Sequence, residues 1–420
     1  MRIWLINPYG PLPHEAWREY SFTTMGNTLA DAGHHVIWWT SNFSHHFKKF
    51  RSSGWQDIAI AELFTVRLVP TTGYSKNIGF GRIFRDLVFG LKTYWHARLL
   101  EKPDLIIYSE SPLSLGYAGP ALAKHLKCAL VYDQMDLWPE LIVKAFPQVL
   151  QRLVNGLFLP IYRRRASTYR RLDGVMALAQ PYLDVVLAEA PHLRQRPHLL
   201  VYNGIDVGKF RRAMTGSVED KFDLHKPSSY LYAIFAGSLG PSYDIATLVG
   251  VARRFERAAV KITIVIAGDG PLQPMVETAA QQCENIKYLG KLAPQKLAGI
   301  YGQCDVGLAA YAGISNVEMP DKFYDYAAAG LAIVNSLQGE VAGHIIENGL
   351  GLQYKAGDID DLARCLQALA AEPARLAAMR QSSFEIGLQF DALRQYGQLP
   401  AFVERVIASA TGSNASRDVR

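Results

Sequence analysis

Short apolar runs alternate with longer polar and mixed segments along the first half of this 420-residue chain. The apolar runs have the length of buried β-strands, and each segment between them is long enough for a helix. The predicted strands are residues 2–7, 35–40, 63–69, 104–109, 128–133, 174–179 and 198–202. Alternation of strands and helices predicts an α/β domain with a parallel sheet.

The same pattern starts again after residue 225. Apolar runs at 230–236 and 261–267 lead into glycine-containing loops, and shorter runs follow at 286–289, 305–310, 331–335 and 350–354. A chain of this length exceeds one ordinary core, so the repetition predicts two domains. We expect an N-terminal domain at 1–205, a C-terminal domain at 206–385, a helix at 386–410 that packs back on the first domain, and a disordered tail at 411–420.

Composition narrows the class of protein. Apolar residues make up 49% of the chain and charged residues 20%, as in globular proteins. No apolar segment reaches the ~18 residues of a membrane span, and the stretch MRIWLINPYG predicts a first strand rather than a signal peptide. Because the cysteines form no CxxC pair, we expect core thiols in a reducing cytoplasm; they are Cys128, Cys283, Cys304 and Cys365.

The formal net charge of +6 is unevenly distributed. Residues 150–171 contain six arginines and no acid, and Arg163, Arg164 and Arg165 directly follow the apolar run 157–162. Such a helix either binds an anionic membrane, here the inner face of the plasma membrane, or is a core helix with a solvated basic face. The basic residues are not interleaved with aromatic residues of a recognised module, so no nucleic-acid partner is expected.

Two glycine-containing loops follow predicted strands of the second domain. They read AGSLG at 236–240 and AGDGP at 267–271. Glycine lets backbone N–H groups approach an anion closely, and a helix that begins there adds partial positive charge. Neither loop matches the GxGxxG or GxxxxGK[ST] patterns. The loops therefore indicate either an anion site or tight turns in which glycine is needed for packing.

The segment MPDKFYDYAAAGLAIVNS at 319–336 combines a helix start with unusual charges. Pro320 and Asp321 suit the first turn of a helix. Lys322 opposes the helix dipole there, which makes sense if an anion binds at the same helix end. Asp325 follows about one turn later on a neighbouring face. A lysine for phosphate and a carboxylate for vicinal hydroxyls indicate a nucleotide diphosphate; the alternative is a solvent-exposed Lys–Asp pair.

Five motifs together carry a resemblance to a known family. They are VYDQMDLWPE (131–140), VYNGIDVGKF (201–210), IAGDGP (266–271), IKYLGKL (286–292) and MPDKFYDYAAAGLAIVNS (319–336). In this order and spacing they resemble the retaining, nucleotide-sugar-dependent glycosyltransferases of family 4, in particular bacterial members that build O-antigen, capsule and other surface polysaccharides. The resemblance spans nearly the whole chain. It implies the GT-B fold, an α/β architecture of two Rossmann-like, doubly wound parallel-sheet domains facing a cleft.

The resemblance also implies an activity and a site. A sugar would pass from a nucleotide-diphosphate sugar to a glycan or lipid-linked acceptor, without cofactor or metal. Asp325 would bind the ribose hydroxyls, Lys322 would lie near the donor pyrophosphate, and Asp136 would face the active cleft. The implied residues are Asp136, Lys322 and Glu318 for catalysis; Gly237, Ser238, Gly268, Asp269, Gly270, Lys322, Tyr324 and Asp325 for the donor; and Gly10, Arg18 and Glu140 on the acceptor side.

Some positions differ from the family pattern. Asp325 stands where relatives carry glutamate, and the upstream acidic position is Val317, with Glu318 one residue later. Ser238 and Tyr243 stand where many relatives carry an arginine and a lysine. Two alternatives to a transferase stay open at this point. One is a GT-B-fold sugar-nucleotide 2-epimerase, and the other is a non-catalytic partner that binds nucleotide sugars and assists an active transferase.

Overall fold

The computed structural model describes residues 1–15, 21–76, 79–109, 115–144, 146–216 and 224–415. The chain forms two compact domains. The first domain comprises Met1–Tyr202 together with the chain from Leu393 onward, and the second comprises Asn203–Ala392. The chain therefore passes from one domain to the other after Tyr202 and returns after Ala392.

Within the described residues, the first domain contains an eight-stranded sheet. Its strands are β1 (Arg2–Ile6), β2 (His35–Ser41), β3 (Gln56–Ala61), β4 (Phe64–Val69), β5 (Leu105–Ser109), β6 (Ala129–Gln134), β7 (Gly174–Ala177) and β8 (His198–Leu200). Their order across the sheet is β3-β4-β2-β1-β5-β6-β7-β8, and all pairs are parallel except β3 with β4. The strand order reverses at β1, so the loops after β1 and β5 mark the edge where ligands bind in such sheets.

Helices accompany this sheet in the manner of an α/β fold. They are α1 (Ser21–Asp31), α2 (Phe80–Ala97), α3 (Leu115–Leu126), α4 (Glu140–Lys144), α5 (Gln148–Leu157), α6 (Leu159–Tyr169), α7 (Gln180–Glu189) and a short 3-10 helix, Pro191–Gln195. Trp4 and Trp38 on the central strands are fully buried. The sequence pattern does not predict β3, because this antiparallel edge strand only half-buries its isoleucines, Ile58 and Ile60.

The second domain contains a sheet of six strands, counted over the described part of the chain. The strands are β9 (Leu231–Ala236), β10 (Ile262–Ala267), β11 (Ile286–Tyr288), β12 (Val306–Ala309), β13 (Ala332–Asn335) and β14 (Gly351–Gln353). Their order is β11-β10-β9-β12-β13-β14, all parallel. This is the Rossmann order, and its switch point lies between β9 and β12. The prediction of two Rossmann-like parallel-sheet domains is confirmed.

The helices of the second domain include the segment singled out in the sequence. They are α8 (Val207–Thr215), α9 (Ile245–Arg257), α10 (Gln273–Gln282), α11 (Pro294–Tyr301), α12 (Asp321–Ala329), α13 (Glu340–Glu347), α14 (Ile359–Ala371) and α15 (Pro373–Gly387). Helix α12 ends at Gly330, whose φ of +66° is left-handed as helix C-termini often require.

The alanines of α12 allow close backbone packing. The helix packs against α15, where a Cβ on Gly387 would lie 2.9 Å from the carbonyl oxygen of Ala327. On the sheet side, a Cβ on Gly307 of β12 would come under 3.0 Å from the ring of Tyr326. Tyr326 is fully buried, and its hydroxyl donates to the carbonyl oxygen of Leu308 at 3.1 Å. Helix α12 is therefore packed closely between β12 and α15.

The last two helices, α16 (Ala392–Tyr396) and α17 (Leu399–Ala415), lead the chain back to the first domain. Helix α17 packs against α1 and β6. It buries Phe402 and Val406, and a Cβ on Gly174 of β7 would lie 2.8 Å from Val406. The C-terminal helix thus contributes to the core of the first domain.

Helix α17 continues through Ala415, so a disordered tail cannot begin at residue 411 as expected. The hydroxyl of Thr411 donates to the carbonyl oxygen of Ile407, four residues earlier in the same helix, at 2.8 Å. Residues 416–420 of the expected tail lie outside the described residues. None of the described helices combines the length and hydrophobicity that a membrane span requires.

Gly307→Ala should destabilise the second domain by about 1–3 kcal/mol, because the added methyl group overlaps the buried Tyr326 ring. Gly299→Ala in α11 is the matched control. A Cβ there meets nothing within 4 Å, so the better helix propensity of alanine should stabilise by about 0.5–1 kcal/mol. Thermal unfolding of the two variants checks both signs. Wild-type stability of Gly307→Ala would contradict the tight packing of α12 on β12.

Candidate functional site

The two glycine-containing loops of the second domain pack directly against each other. Leu239 N–H donates to the carbonyl oxygen of Asp269 at 2.8 Å. Gly268 has a φ of +144°, and a Cβ there would come under 3.0 Å from the carbonyl oxygen of Gly237. Gly270 has a φ of +149°, with a Cβ 2.8 Å from the carbonyl oxygen of Leu239. Packing alone therefore requires glycine at these positions, whether or not an anion binds.

Lys322 extends from the first turn of α12 to the loop after β9. Its Nζ comes under 3.0 Å from the point where a Cβ on Gly237 would lie. The ammonium is 4.7 Å from the ring centre of Phe235, 4.4 Å from Tyr243 and 5.7 Å from Tyr311. Only 6% of Lys322 is exposed. The structure thus brings Lys322 and Gly237 together at the switch point of the sheet, with the cation surrounded by aromatic rings.

Asp244 fixes the loop that carries Tyr243. The buried carboxylate accepts hydrogen bonds from the Thr247 hydroxyl at 2.6 Å, the Tyr354 hydroxyl at 3.1 Å and the backbone N–H of Gly357 at 2.8 Å. Sequence reasoning missed the aromatic residues around Lys322 and this anchor. An aspartate before a helix is a readable signal, whereas the contact of Tyr243 with Tyr311, at 5.0 Å between ring centres, joins distant segments.

Asp325 and Tyr324 lie on different sides of α12. Asp325 is half-buried. Burial raises the pKa of Tyr311 well above its ordinary value, and the charges of Tyr243, Tyr326, Asp321 and Asp325 add to this shift in decreasing order. Tyr324, by contrast, is buried with its ring 5.6 Å from that of Phe390. Its ring belongs to the core rather than to the surface beside the glycine loops.

Glu318 lies at the start of α13. Its Oε2 accepts a hydrogen bond from the backbone N–H of Glu340 at 3.0 Å, and its carbonyl oxygen accepts from Val341 at 3.1 Å. A Cβ on Gly339 would overlap the Glu318 carboxylate. A carboxylate at a helix N-terminus is stabilised by the free N–H groups and the helix dipole. The structure gives Glu318 this capping contact.

The remaining donor-side residues are at the surface. Ser238 is exposed. Asp269 is about half-exposed and forms an ion pair with Lys291 at 3.2 Å. Lys291 lies three residues after the end of β11, so it adds a basic side chain at the carboxyl edge of the sheet. Sequence reasoning did not single out Lys291, because a lysine after a strand is a weak signal.

Asp136 is partly buried and follows β6 in the first domain, and the fully buried Asp133 precedes it by three residues. Asp133 is 1% exposed, and its Oδ1 has no hydrogen-bond partner among the described residues. Burial raises the pKa of Asp133 to about 7 and that of Asp136 to about 6. The backbone carbonyl of Asp136 accepts a hydrogen bond from the side-chain amide of Gln134. The end of β6 and the loop after it therefore hold two carboxyl groups whose pKa values are raised, Asp133 in the strand and Asp136 in the loop.

Glu140 is bound by Arg165 rather than free at an acceptor surface. The guanidinium donates to both carboxylate oxygens at 2.7 Å and to the carbonyl oxygen of Trp138 at 2.8 Å. Arg165 also pairs with Glu189. A bidentate pair of this kind fixes both geometry and charge. Arg165 therefore holds the 136–140 loop in place. The carboxylate of Glu140, predicted on the acceptor side, is already bound by this arginine.

The interpretation of Arg163, Arg164 and Arg165 as one membrane-facing cluster is wrong for Arg165. That side chain is buried, and it forms ion pairs with Glu140 and Glu189 inside the domain. The guanidinium of Arg164 stacks 3.7 Å from the ring centre of Tyr117. Arg163 is exposed. Three consecutive helical residues point in three directions, so they cannot share one face.

The first loop of the chain is also fastened by an arginine. Gly10 is buried with a φ of +98°, and its carbonyl oxygen accepts a hydrogen bond from Arg51 at 2.7 Å. Arg51 also binds both carboxylate oxygens of Glu15, at 2.9 and 2.7 Å. Arg18, predicted on the acceptor side, lies outside the described residues.

Comparisons with known proteins match both domains. The family described as Glycosyltransferase Family 4 matches residues 19–209, and the family described as Glycosyl transferases group 1 matches residues 231–372. The comparison with curated protein sequences finds no match.

Solved structures show the same fold. Sucrose-phosphate synthase from Thermosynechococcus elongatus is 16% identical, with a TM-score of 0.72 over 97% of this chain and 99% of that one. Anabaena Alr3699/HepE in complex with UDP-glucose is 16% identical, with a TM-score of 0.61 over 98% and 100%. WaaG, a glycosyltransferase involved in lipopolysaccharide biosynthesis, is 14% identical, with a TM-score of 0.62 over 96% and 99%.

Asp133→Asn should stabilise the protein at pH 8 and change how its stability depends on pH. The folded state keeps the Asp133 proton up to a pKa of about 7, whereas the unfolded chain loses it near pH 4. The unfolded state therefore binds fewer protons between these values, and stability falls as pH rises through this window, by on the order of a few kcal/mol. The uncharged asparagine should remove this fall.

The measurement is the free energy of unfolding of wild type and variant from pH 4 to 8. Asp31→Asn is the control, because Asp31 is exposed at the end of α1. This control variant keeps Asp133, so it should keep the fall in stability that is attributed to Asp133. A curve for Asp133→Asn parallel to that of wild type would mean that Asp133 is already ionised in the folded protein.

Proposed function

This chain belongs to the glycosyltransferases of GT-B type, with a Family 4 domain and a group 1 domain, and we propose that it transfers a sugar from a nucleoside-diphosphate sugar with retention of anomeric configuration. The observation that carries this proposal is the position of Lys322. A buried cation at a helix N-terminus, beside a glycine loop at the switch point of a Rossmann-type sheet, suits a diphosphate.

The residues of the second domain have separate roles in this proposal. Lys322 and the N-terminus of α12 stabilise the negative charge that develops on the leaving diphosphate, which is the largest requirement of the step. Gly237, Gly268 and Gly270 let the nucleotide approach the backbone. Asp325, one turn further along α12, accepts hydrogen bonds from the ribose hydroxyls.

The proposed reaction needs no nucleophile from the enzyme. The bond between the sugar and the diphosphate breaks, the acceptor hydroxyl attacks from the same face, and its proton passes to a donor phosphate oxygen. Asp136 helps to orient the acceptor from the first domain. No metal ion is required in this scheme, because Lys322 and the helix N-terminus provide the positive charge.

The donor and acceptor classes are further parts of the proposal. Structures similar to this chain include Alr3699/HepE in complexes with UDP, with UDP-glucose, and with UDP and glucose. A UDP-sugar is therefore the first donor to test. The similarity to WaaG, described as involved in lipopolysaccharide biosynthesis, favours a glycan or lipid-linked acceptor in bacterial surface polysaccharide synthesis.

Lys322→Ala and Lys322→Met should lower turnover of the donor by about 10²–10³, because a group that stabilises developing charge is lost. Methionine fills most of the space that the lysine side chain occupies among the aromatic rings. Lys322→Met therefore tests the loss of charge without the cavity that Lys322→Ala leaves. Lys296→Ala is the control, since Lys296 is exposed on α11 of the same domain. Turnover is measured as release of UDP from UDP-sugars. Binding is measured as the increase in the free energy of unfolding with UDP, which should reach about 2.7 kcal/mol at ~100 times the dissociation constant.

Each part of the proposal has an outcome that contradicts it. A product of inverted configuration would exclude retention, and loss of activity in EDTA that returns with Mg²⁺ would exclude the metal-free scheme. Conversion of the donor to its epimer without acceptor would support a 2-epimerase. Nucleotide-sugar binding without turnover of any donor would support a non-catalytic partner. Unchanged turnover of Lys322→Ala would remove the proposed role of this lysine.

We also propose that the first domain lies on an anionic lipid bilayer at the inner face of the plasma membrane. Helix α2 exposes an apolar face on one side and buries Phe89, Gly90 and Thr93 on the other. Phe80 is 90% exposed, and Lys92 is exposed on the same helix. The other exposed side chains of this face are Ile83, Phe84, Leu87, Leu91 and Trp95. An amphipathic helix with apolar and basic residues suits a lipid interface.

Helix α5 has a similar composition. Val149 is 87% exposed, and Leu153 and Leu157 are also exposed. Arg152 on this helix is exposed, and residues 146–172 contain no acid. The excess of positive charge beside exposed apolar side chains favours anionic lipid over a neutral partner. The exposed apolar faces of α2 and of α5, rather than Arg165, are the basis of the proposed membrane binding.

Replacing Leu87 and Leu91 together by serine should weaken binding to vesicles by at least about tenfold, because two apolar side chains no longer leave water. Co-sedimentation with vesicles of neutral lipid, with and without anionic lipid, measures the effect. Replacement of Ile346 and Ile359 by serine is the control, since both are exposed in the second domain. Equal sedimentation of wild type and both variants would contradict the bilayer as partner. Failure of wild type to sediment with anionic vesicles would contradict it as well.

A further inference from the structure

Three cations meet at the carboxyl edge of the first-domain sheet. Lys48 lies in the loop after β2, and Arg82 and Arg85 lie in the first turns of α2. Tyr9, from the loop after β1, and Tyr74, from the segment after β4, lie among them. Because β1, β2 and β4 are parallel, these loops share the edge at which open α/β sheets bind ligands. We call these five residues the cationic cluster.

Arg85 is the centre of the cationic cluster. It is 0% exposed, and its guanidinium lies 4.6 Å from the ring centre of Tyr9 and 5.3 Å from that of Tyr74. Its Nη2 donates to the Tyr74 hydroxyl at 3.3 Å and lies 3.1 Å from Oδ1 of Asp86. Neither Nε nor Nη1 has a hydrogen-bond partner among the described residues. Buried donors without a partner are costly and rare in folded proteins.

Asp86 lies beside the two arginines of the cluster. Asp86 accepts a hydrogen bond from the Tyr9 hydroxyl at 2.7 Å, and Nε of Arg82 donates to that same hydroxyl at 3.1 Å. Lys48 lies 4.4 Å from the ring centre of Tyr74. Burial, followed by the charges of Arg82 and Arg85, lowers the pKa of Lys48.

His45 borders the cluster as a neutral group. Its Nδ1 shares a hydrogen bond with the Tyr74 hydroxyl. Burial, followed by the charges of Lys48, His46 and the two arginines, lowers its pKa to about 3. The surroundings of the cluster therefore disfavour a further positive charge and favour an anion.

We infer that the cationic cluster binds a phosphate or diphosphate group of the acceptor. The inference rests on the proposed transferase function, and it defines the acceptor class as one that carries a phosphate. Two features favour phosphate chemistry. The free N–H groups of a guanidinium match phosphate oxygens in direction and charge. Arg82 and Lys48 are partly exposed and can meet a ligand from solvent, whereas Arg85 is fully buried beneath them in the same cluster.

The cluster and the proposed membrane surface are on the same helix. The face of α2 with Phe84 and Leu87 is exposed, whereas Arg85 and Asp86 point into the domain. Arg82 and Arg85 therefore lie on the side of α2 that faces away from the apolar face. Two sources of the phosphate are distinguished below, a lipid-linked phosphate and a soluble sugar phosphate.

Binding of inorganic pyrophosphate tests the site. Calorimetric titration is done with saturating UDP, so that the nucleotide site of the second domain is filled. Arg82→Gln and Lys48→Met should each weaken pyrophosphate binding by about tenfold, because one charged hydrogen bond is lost. Lys49→Met is the matched control, since Lys49 is the exposed neighbour of Lys48 and its loss changes the net charge equally. Arg85→Met, checked for folding by its unfolding temperature, should abolish binding.

The outcomes separate the site from the proposed function. Failure of wild type to bind UDP, GDP, ADP and dTDP alike would contradict the proposed function, whereas binding of a nucleotide without binding of pyrophosphate would overturn only the cationic cluster. If Lys48→Met and Lys49→Met lose affinity for pyrophosphate equally, the loss reflects net charge alone. That result would also overturn the cationic cluster as a binding site.

Two further probes distinguish the source of the phosphate. Tighter binding of decyl phosphate than of glucose 1-phosphate, with both weakened by Arg82→Gln, identifies a lipid-linked acceptor. The reverse order identifies a soluble sugar phosphate. Neutral decyl glucoside that binds as tightly as decyl phosphate would show that the cluster does not recognise phosphate.

Discussion

The second domain depends on close backbone packing around α12. A side chain at Gly307 would overlap the ring of Tyr326, and one at Gly387 would press on the backbone of Ala327. The helix is therefore held against β12 on one side and α15 on the other. Because a densely packed interior resists small displacements, the first turn of α12 has one position, and Lys322 in that turn reaches the loop of Gly237. The proposed chemistry follows from this placement.

Buried cations are compensated differently in different parts of the protein. Arg165 is bound by Glu140 and Glu189, and it serves the architecture of the loop after β6. Lys322 lies among aromatic rings, and Arg85 has two N–H groups without a partner in the described part of the chain. Burying a charge costs several kcal/mol unless partners compensate for it. The two N–H groups of Arg85 that lack a partner within the described ranges therefore indicate where a ligand anion would contribute most.

Periodicity explains both the success and the failures of sequence prediction. Buried parallel strands read as nearly continuous apolar runs, so both sheets and their loops were predictable, and the order of the motifs indicated the family. The edge strand β3 has no such run. Arg165 was misassigned because consecutive helical residues point about 100° apart, and a row of three arginines does not reveal which one finds Glu140 and Glu189.

The sequence by itself determined the alternation of elements, the glycine positions and the helix start that carries Lys322, because these depend on local backbone preferences and hydrophobic period. Only the tertiary structure decided which side chains surround each charge. Tyr243 and Tyr311 meet around Lys322, and Tyr9 and Tyr74 meet around Arg85, although each pair is far apart along the chain. Such contacts depend on the order of strands in the sheet, which brings distant loops to one edge and which no local pattern encodes.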